Sequence, residues 1–531
     1  MVERSTTVRF IRWLFRWRTA WRILIGLAWL ATLVALFHGE ENWRGRRAWE
    51  RYRRVLEAQG VPLDYKALIP KPVPDEQNFA ATPAVKSWFE KHGPASVDQD
   101  WDDNYSRVAA RVHPPLEKGV PAHRQFEDLV GWEAGIAAAQ AGKLTGRENF
   151  YSGKLDLDSR AKAAPAVLEG LKTNEALFGE FRLASPRPYS RYPVNYDLEN
   201  VWAIEQPHLR MVKGLCQRLG LQACAELAGG QSEKALEDVR LMLRLADSLK
   251  SDACLISYLV RLACANLATQ PIWEGLAEHR WSEAQLAELE IRLQRDNFIA
   301  DMRPALNVER AAGISTIELL KRKGPWYLNF IGSSDSAPPP EQSMAGRWLG
   351  VVLVPRGWYS QEELNYCRGF QTELATGLDT TNNRVSPHQV KADAEALSRT
   401  MAGTGVAATV IGIVLHHQVM ARMILPALTR VVQRAAATQT AVNQAAIACA
   451  LERFRLANGQ FSEKLDALAP QFISPAPNDV LTGQPYKYRR SEDGHFVLYS
   501  IGWDEKDDGG VPGKRLFDEM KGDWVWEYPA K

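Results

Sequence analysis

The first long apolar segment of the chain lies close to its N-terminus. Ile23 to Phe37 is a run of fifteen residues without a charge. As a helix rising about 1.5 Å per residue it would span roughly 22 Å of a hydrocarbon core of about 30 Å. Trp17 and Trp21, with the neighbouring arginines, suit the membrane interface and lengthen the span. The pattern predicts one transmembrane helix that anchors the protein through residues 21–38.

The orientation of this helix is predicted from its arginines. Six arginines precede the apolar run between residues 4 and 22, and six more follow it between residues 44 and 54. Because the preceding set is closer to the span, we expect a single-pass protein of the inner (cytoplasmic) membrane, with its N-terminus inside and the bulk of the chain extracytoplasmic. A cleaved signal peptide is the alternative, but the run ends in Ala35-Leu36-Phe37-His38, which lacks a small-x-small cleavage site.

A second uncharged stretch, Met401 to Ala421, is 21 residues long. It contains three glycines, a glutamine and the pair His416-His417. These residues favour a buried helix. A second crossing is the alternative, and it would return the C-terminus to the cytoplasm.

The middle of the chain has mostly helical periodicity. From His208 to Ala228 the apolar residues recur every three or four positions, which predicts a helix ending at Gly229-Gly230. A second helix is expected to begin near Ser232. The small and apolar residues of this pair resemble half of a tetratricopeptide-like helical hairpin. Since no 34-residue period is visible, an irregular stacked-helix domain is the expectation.

Capping patterns mark three later helix starts. They are Ser282 with Gln285, Ser360 with Glu363, and Ser386-Pro387 with Gln389. Between the first two lies the Ser/Pro-rich segment 332–346, which reads as a linker.

After an Ala-rich helical run that ends near Asn458, the sequence pattern changes from helical periodicity to short strand candidates. Tyr486–Arg490 and His495–Ile501 are two strand candidates joined by a four-residue loop, and Trp524–Tyr528 is a third. A long helix followed by a small antiparallel sheet is therefore expected.

Three motifs in this region carry a resemblance to a known family. The segments ALERFRLANGQFSEKLDALAP (450–470), TGQPYKYR (482–489) and LYSIGWDEKDDGG (498–510) resemble the head domain of type II secretion major pseudopilins. That family implies a helix leading into a short sheet whose last loop, rich in Asp and Gly, holds calcium. In this chain the anchor lies nearly 400 residues before the head, whereas pseudopilins join the two directly. The whole chain also resembles uncharacterised membrane-anchored bacterial envelope proteins, which implies a layout and no activity.

The predicted fold is mainly α, with a transmembrane helix, a stacked-helix, tetratricopeptide-like domain and an α+β pseudopilin-like head. The expected divisions are a basic segment and anchor (1–38), a juxtamembrane helix and Pro-rich spacer (39–84), a helical domain (85–331), a linker (332–346), a helical connector (347–430) and the head (431–531).

Composition narrows the class of protein. The 531 residues are enough for three or four domains, and 65 Lys+Arg against 63 Asp+Glu leave a formal charge of +2. With so little net charge we expect no nucleic-acid partner. The six cysteines form no C-x-x-C pair, so free core cysteines are expected, and a bridge between neighbouring helices is the alternative.

Catalytic signatures are largely missing from the sequence. It contains no H-E-x-x-H, G-x-S-x-G, Walker A or G-x-G-x-x-G motif. Ser159 and Lys162 fit S-x-x-K, a match that chance explains. The acidic segment 98–103 lacks the glycine of a calcium-binding EF-hand loop and is expected to be a solvated turn. The aromatic and Arg-rich loop 186–197 is expected to pack structurally, with peptide or glycan binding as the alternative.

The acidic loop near the C-terminus is the predicted metal site. Asp504, Asp507 and Asp508 lie close together, and flanking glycines let the backbone turn so that carbonyl oxygens complete a calcium shell. The pseudopilin resemblance implies calcium at these three residues. A solvated acidic turn is the alternative.

Two functional classes follow. The first is a membrane-anchored extracytoplasmic scaffold or interaction protein of the bacterial envelope, with a role related to secretion, protein partners and no catalytic residues. The alternative is an extracytoplasmic hydrolase whose carboxylates are scattered in the sequence.

The topology is testable with reporter fusions. A reporter that works only outside the cytoplasm should be active when fused after Lys531, because one crossing places the C-terminus outside. A reporter that is active when fused near Asp335 but inactive when fused after Lys531 would show instead that 401–421 crosses the membrane.

Overall fold

The computed structural model describes residues 17–90, 104–112, 114, 122–144, 146, 148–324, 327, 354–374, 377–400 and 418–528. The acidic segment 98–103, the linker 332–346, His416-His417 and all but the last four residues of the stretch from Met401 to Ala421 lie outside these ranges.

Helices make up most of the described chain. They are α1 (Trp17–Ala58), α2 (Pro83–Glu90), α3 (Asn104–Ala109), α4 (Leu129–Gln140), α5 (Leu157–Leu171), α6 (Glu175–Ala184), α7 (Pro207–Ala228), α8 (Ser232–Ser248), α9 (Leu255–Ala277), α10 (Glu283–Gln294), α11 (Phe298–Lys323), α12 (Arg356–Leu374), α13 (Pro387–Thr400) and α14 (Val419–Asn458). Short 3₁₀ turns occur at Lys66–Leu68, Asp75–Gln77, Lys172–Asn174, Val201–Ala203 and Leu465–Leu468. The strands are β1 (Leu378–Asp379), β2 (Arg384–Val385), β3 (Lys487–Arg490), β4 (Phe496–Ser500) and β5 (Trp524–Trp526).

The anchor and the predicted juxtamembrane helix are one continuous helix, α1. Its apolar part is exposed along its length, for example at Leu24, Trp29 and Leu36. Among the described residues it is the one helix long and apolar enough to cross a membrane. An apolar surface of this size suits lipid rather than water, and the helix continues unbroken into the charged residues that follow.

The centre of the helical body is built on α7. This helix is buried on nearly all faces because α5, α8 and α9 all pack against it. Its start at Pro207 and end at Ala228, and the start of α8 at Ser232, confirm the predicted helix pair.

The longest helix of the C-terminal half, α14, belongs to the body as well as to the sheet. It packs against α9, α10, α11 and α12, and its later turns contact β4 and β5. Gln444 Nε2 donates to the Trp524 carbonyl oxygen at 2.7 Å. The expected division between residues 430 and 431 falls inside this helix, and one hydrophobic cluster extends from Trp49 to Trp526.

The C-terminal sheet has the order β3-β4-β5 and is antiparallel throughout. Arg490 pairs with Phe496, and Ser500 pairs with Trp524. All three predicted strands are therefore present, each within a residue or two of its predicted bounds. The two-residue pairing of β1 with β2 was not expected from the sequence.

Two of the three predicted helix starts are confirmed. Ser282 and Gln285 form a reciprocal capping box at α10, and α13 begins at Pro387. The start at Ser360 is wrong, because α12 begins four residues earlier, at Arg356. The cause is tertiary: the side chain of Asn42 on α1 accepts the Gly357 N–H at 2.7 Å.

The six cysteines all lie within the described residues and are free thiols, with Cys254 partly exposed and the others buried. The bridge that the sequence left open is therefore not formed in this structure.

A buried ionic cluster joins α5 to α9. The Arg160 guanidinium pairs with Glu274 and Glu278, and all three side chains are essentially inaccessible to solvent. Glu274 also accepts the Glu127 N–H at 2.7 Å and Gln270 Nε2 at 2.9 Å. Although Arg160 opposes it, burial raises the pKa of Glu274.

Replacing Arg160 should destabilise the fold strongly. Arg160→Met leaves the buried Glu274 carboxylate without its cation and Glu278 with Arg280 alone, and loss of one partner of a buried pair costs about 3–5 kcal/mol. Urea unfolding of the detergent-solubilised chain, followed by tryptophan fluorescence, measures the change. The control Lys162→Met lies on the same helix with its side chain 81% exposed and should change stability by less than about 0.5 kcal/mol. Equal midpoints for the two variants would contradict the assigned role of the cluster.

Candidate functional site: a basic cleft at the anchor junction

After the apolar run, α1 has two distinct faces. The buried residues Glu41, Gly45, Trp49 and Leu56 recur at helical spacing and face the body. The opposite face carries exposed side chains, which are Trp43, Arg46, Arg47, Glu50, Arg51 and Arg54. This division follows the 3.6-residue period of the helix and places the arginines together along one side.

The packed face holds α12 at very short range. A Cβ atom added at Gly45 would collide with the Gly357 backbone, and one added at Gly357 would collide with the backbone at Glu41. The two helices therefore touch through their main chains, which only glycine permits. Polar contacts surround this point: Glu41 Oε2 accepts Trp358 Nε1 at 2.9 Å and Gln361 Nε2 at 3.1 Å.

Beside this crossing lies a cleft of about 760 Å³. Its described lining includes six cationic side chains and a single carboxylate, Glu50. The cations are Arg46, Arg47, Arg51, Arg54, Lys321 and Arg356. They come from three helices, since Lys321 lies in the last turn of α11 and Arg356 begins α12.

Few of these charges are neutralised. Arg46 Nε lies 3.8 Å from Glu50 Oε1, and Lys321 Nζ donates to the Ser360 hydroxyl at 3.4 Å. Arg47 lies over the Trp43 ring, 5.2 Å from its centre. Within the part of the chain that the structure describes, Arg51, Arg54 and Arg356 have no carboxylate partner, so the cleft is an electropositive surface.

The predicted calcium ligands lie in the loop between β4 and β5. Asp507 Oδ1 accepts the Gly509 N–H at 3.0 Å and the Tyr499 hydroxyl at 3.1 Å, and Asp504 accepts the Lys506 N–H at 3.3 Å. The Gly509 N–H is the main reason that the pKa of Asp507 is lowered. The Asp508 side chain is exposed.

A fourth carboxylate, Asp523, organises this loop and was not singled out from the sequence. It is fully buried and accepts the Gly510 N–H at 2.6 Å and the Asp508 N–H at 3.3 Å. Burial raises the pKa of Asp523. Its position just before β5 places it beneath the loop, 15 residues after Asp508, a separation that no local pattern marks.

Across the described ranges, no three His, Cys, Asp or Glu side chains are grouped so that they could hold a metal ion. Asp504 and Asp507 instead accept hydrogen bonds from the chain itself. Calcium at Asp504, Asp507 and Asp508 stays a prediction, and binding would require these side chains to reorient.

The S-x-x-K match, Ser159 with Lys162, lies in the first turns of α5. The Ser159 N–H donates to Asp156 at 2.9 Å in the first turn of α5, while Lys162 Nζ lies 3.7 Å from Asp158. These contacts belong to a helix start and an exposed ion pair.

The loop 186–197 is packed into the body. Tyr192 is fully buried, its hydroxyl lies 2.7 Å from the Ser248 hydroxyl, and its ring stacks 4.2 Å from that of His208. This is the structural role expected for the loop.

The hydrolase alternative requires a pair of neighbouring carboxylates. Such a pair, Glu226 and Asp238, lies between α7 and α8. Burial raises the pKa of Glu226 and of Asp238, and for Asp238 it outweighs the attraction of Arg182. Glu226 is 5% exposed and Asp238 is 0% exposed. A substrate cannot reach carboxylates enclosed in this way, so the pair is assigned to the packing between these helices.

Comparison with protein-family models, curated proteins and solved structures found no match to this chain.

Calcium binding at the C-terminal loop is tested by the melting temperature of the full chain. A cation that binds only the folded state raises that temperature by mass action. If the prediction holds, millimolar calcium should give a higher midpoint than chelator, and Asp504→Asn with Asp507→Asn should abolish the difference. Glu492→Gln, in the exposed hairpin loop, should leave it intact. Equal midpoints with and without calcium would remove the proposal.

Proposed function

We propose that this protein is a membrane-anchored scaffold or interaction protein of the bacterial envelope. In this proposal α1 crosses the inner membrane with its N-terminus in the cytoplasm, and the helical body and C-terminal sheet lie outside and contact protein partners. The observation that supports it best is the main-chain contact of Gly45 with Gly357, because it couples the anchor helix to the body without a flexible joint.

A fixed junction suits a scaffold more than a tethered enzyme. A continuous helix followed by a backbone-to-backbone crossing gives the body one height and one orientation above the bilayer. A partner that is itself held in the membrane would then meet the same surface of the body at every encounter.

The finer parts of the proposal concern the two halves of the body. We include a tetratricopeptide-like arrangement around α7 and α8 and a pseudopilin-like head formed by the end of α14 and the sheet β3-β4-β5. A helix that leads into a short antiparallel sheet with an Asp- and Gly-rich loop is consistent with a head of that kind. A role related to secretion rests on this resemblance.

The proposal is tested by crosslinking in intact membranes. The tagged full chain is crosslinked, solubilised and purified, and its partners are identified and quantified by mass spectrometry. Gly45→Leu should lose partners that wild type retains, because a side chain there must displace α12. The matched control is Gly39→Leu, since Gly39 lies on the same helix with open space around it.

The result expected is one set of envelope partners, recovered with wild type and Gly39→Leu and reduced at least several-fold with Gly45→Leu. Recovery no higher than that of an unrelated single-pass protein would contradict a scaffold. Unchanged recovery with Gly45→Leu would contradict the importance of the fixed junction.

A further inference from the structure

The basic cleft has a fixed height relative to the apolar run of α1. If the run is centred in the bilayer near Leu30, a half-thickness of about 15 Å corresponds to about ten residues and places the edge of the hydrocarbon near Glu40. The polar headgroups occupy roughly 5–8 Å beyond that edge. Asn42 and Trp43 then lie at headgroup height. The backbone of Arg47 lies one turn further out, but its guanidinium lies over the Trp43 ring and so returns to headgroup height.

Arg356 also lies at headgroup height, on the opposite wall of the cleft. The Gly357 N–H donates to Asn42 at 2.7 Å, so the first turn of α12 lies level with residues 41 and 42 of α1. Arg47 and Arg356 therefore flank the membrane end of the cleft, and both are exposed. Their guanidinium groups present N–H donors in the planar arrangement that suits phosphate oxygens.

The remaining cations lie further from the bilayer along the same wall. Arg51 and Arg54 follow Arg47 on one face of α1, and Lys321 closes the cleft from α11. With six cations against one carboxylate, the described lining carries a formal charge of +5. Such a cleft attracts anions. Its membrane end lies next to the lipid headgroups, whose phosphates are the nearest anions.

We propose that this cleft binds the phosphate headgroup of an anionic phospholipid, with Arg47 and Arg356 as the contacting residues. The lipid tails remain in the bilayer beside α1, where the exposed apolar side chains of that helix adjoin them. Trp43, 62% exposed at headgroup height, is the kind of side chain that prefers this interface. The inference rests on the anchoring of α1 in the proposed function and adds a ligand to it.

The test uses the full chain in a neutral detergent, stripped of lipid. Native mass spectrometry counts the adducts formed with phosphatidylglycerol and, separately, with phosphatidylcholine of the same acyl chains. Wild type should bind phosphatidylglycerol at a lipid concentration at least tenfold lower than the concentration of phosphatidylcholine needed for the same occupancy. Arg47→Gln with Arg356→Gln should weaken that binding at least tenfold, since each substitution removes a charge-assisted contact to the phosphate.

The control carries the same change in charge on another surface. Arg53→Gln with Lys66→Gln removes two cations from a neighbouring cleft between α1 and the turn at Lys66–Leu68, and it should keep the preference for phosphatidylglycerol. Equal binding of the two lipids by wild type would overturn the proposal. So would a preference that survives Arg47→Gln with Arg356→Gln, or one that the control variant loses to the same extent.

Inorganic phosphate distinguishes a lipid from a soluble anion. Millimolar phosphate should displace phosphatidylglycerol only weakly, because it lacks the acyl chains that lie along α1. Complete displacement would show that the cleft takes a soluble phosphate and would overturn its assignment to lipid. Release of the chain from membranes by alkaline carbonate would instead refute the anchor itself, so the two failures are distinguishable.

Discussion

The architecture depends on the place where two helices touch through their main chains. At Gly45 and Gly357 there is no room for a side chain on either helix, so α1 and α12 approach more closely than helices with ordinary interfaces. Because α12 also packs against α11, α13 and α14, this single crossing joins the anchor to most of the later helices. The positions of Glu41, Asn42 and Trp358 follow from it, as does the height of the cleft beside it.

Elements that are specified locally could be predicted from the sequence. The apolar spacing of His208–Ala228, the capping box at Ser282 and the alternating strands of the C-terminal sheet each depend on neighbours a few residues away. The helix start at Ser360 was wrong because the N-terminus of α12 is capped by Asn42, which is 315 residues distant from Gly357. A serine pattern within α12 cannot reveal that partner.

The candidate site likewise combines residues that the local sequence reveals with residues that only folding brings to it. Six arginines between residues 44 and 54 were visible in the sequence and were used to predict orientation. The cleft exists because folding adds Lys321 and Arg356 opposite them, and no spacing along the chain connects these residues. Asp523 was missed for a related reason, since a single aspartate before a strand gains its role only when the loop 502–511 folds over it.

The long helix α14 has a mechanical consequence. At about 1.5 Å per residue its 40 residues extend about 60 Å. One part is clamped among α9, α10, α11 and α12, and the part near its end carries the sheet. A load applied to the sheet is therefore transmitted along α14 into the core, and from there through α12 to the apolar helix α1. Tension on the C-terminal region is therefore distributed over the helices that pack against α14 rather than borne by the sheet alone.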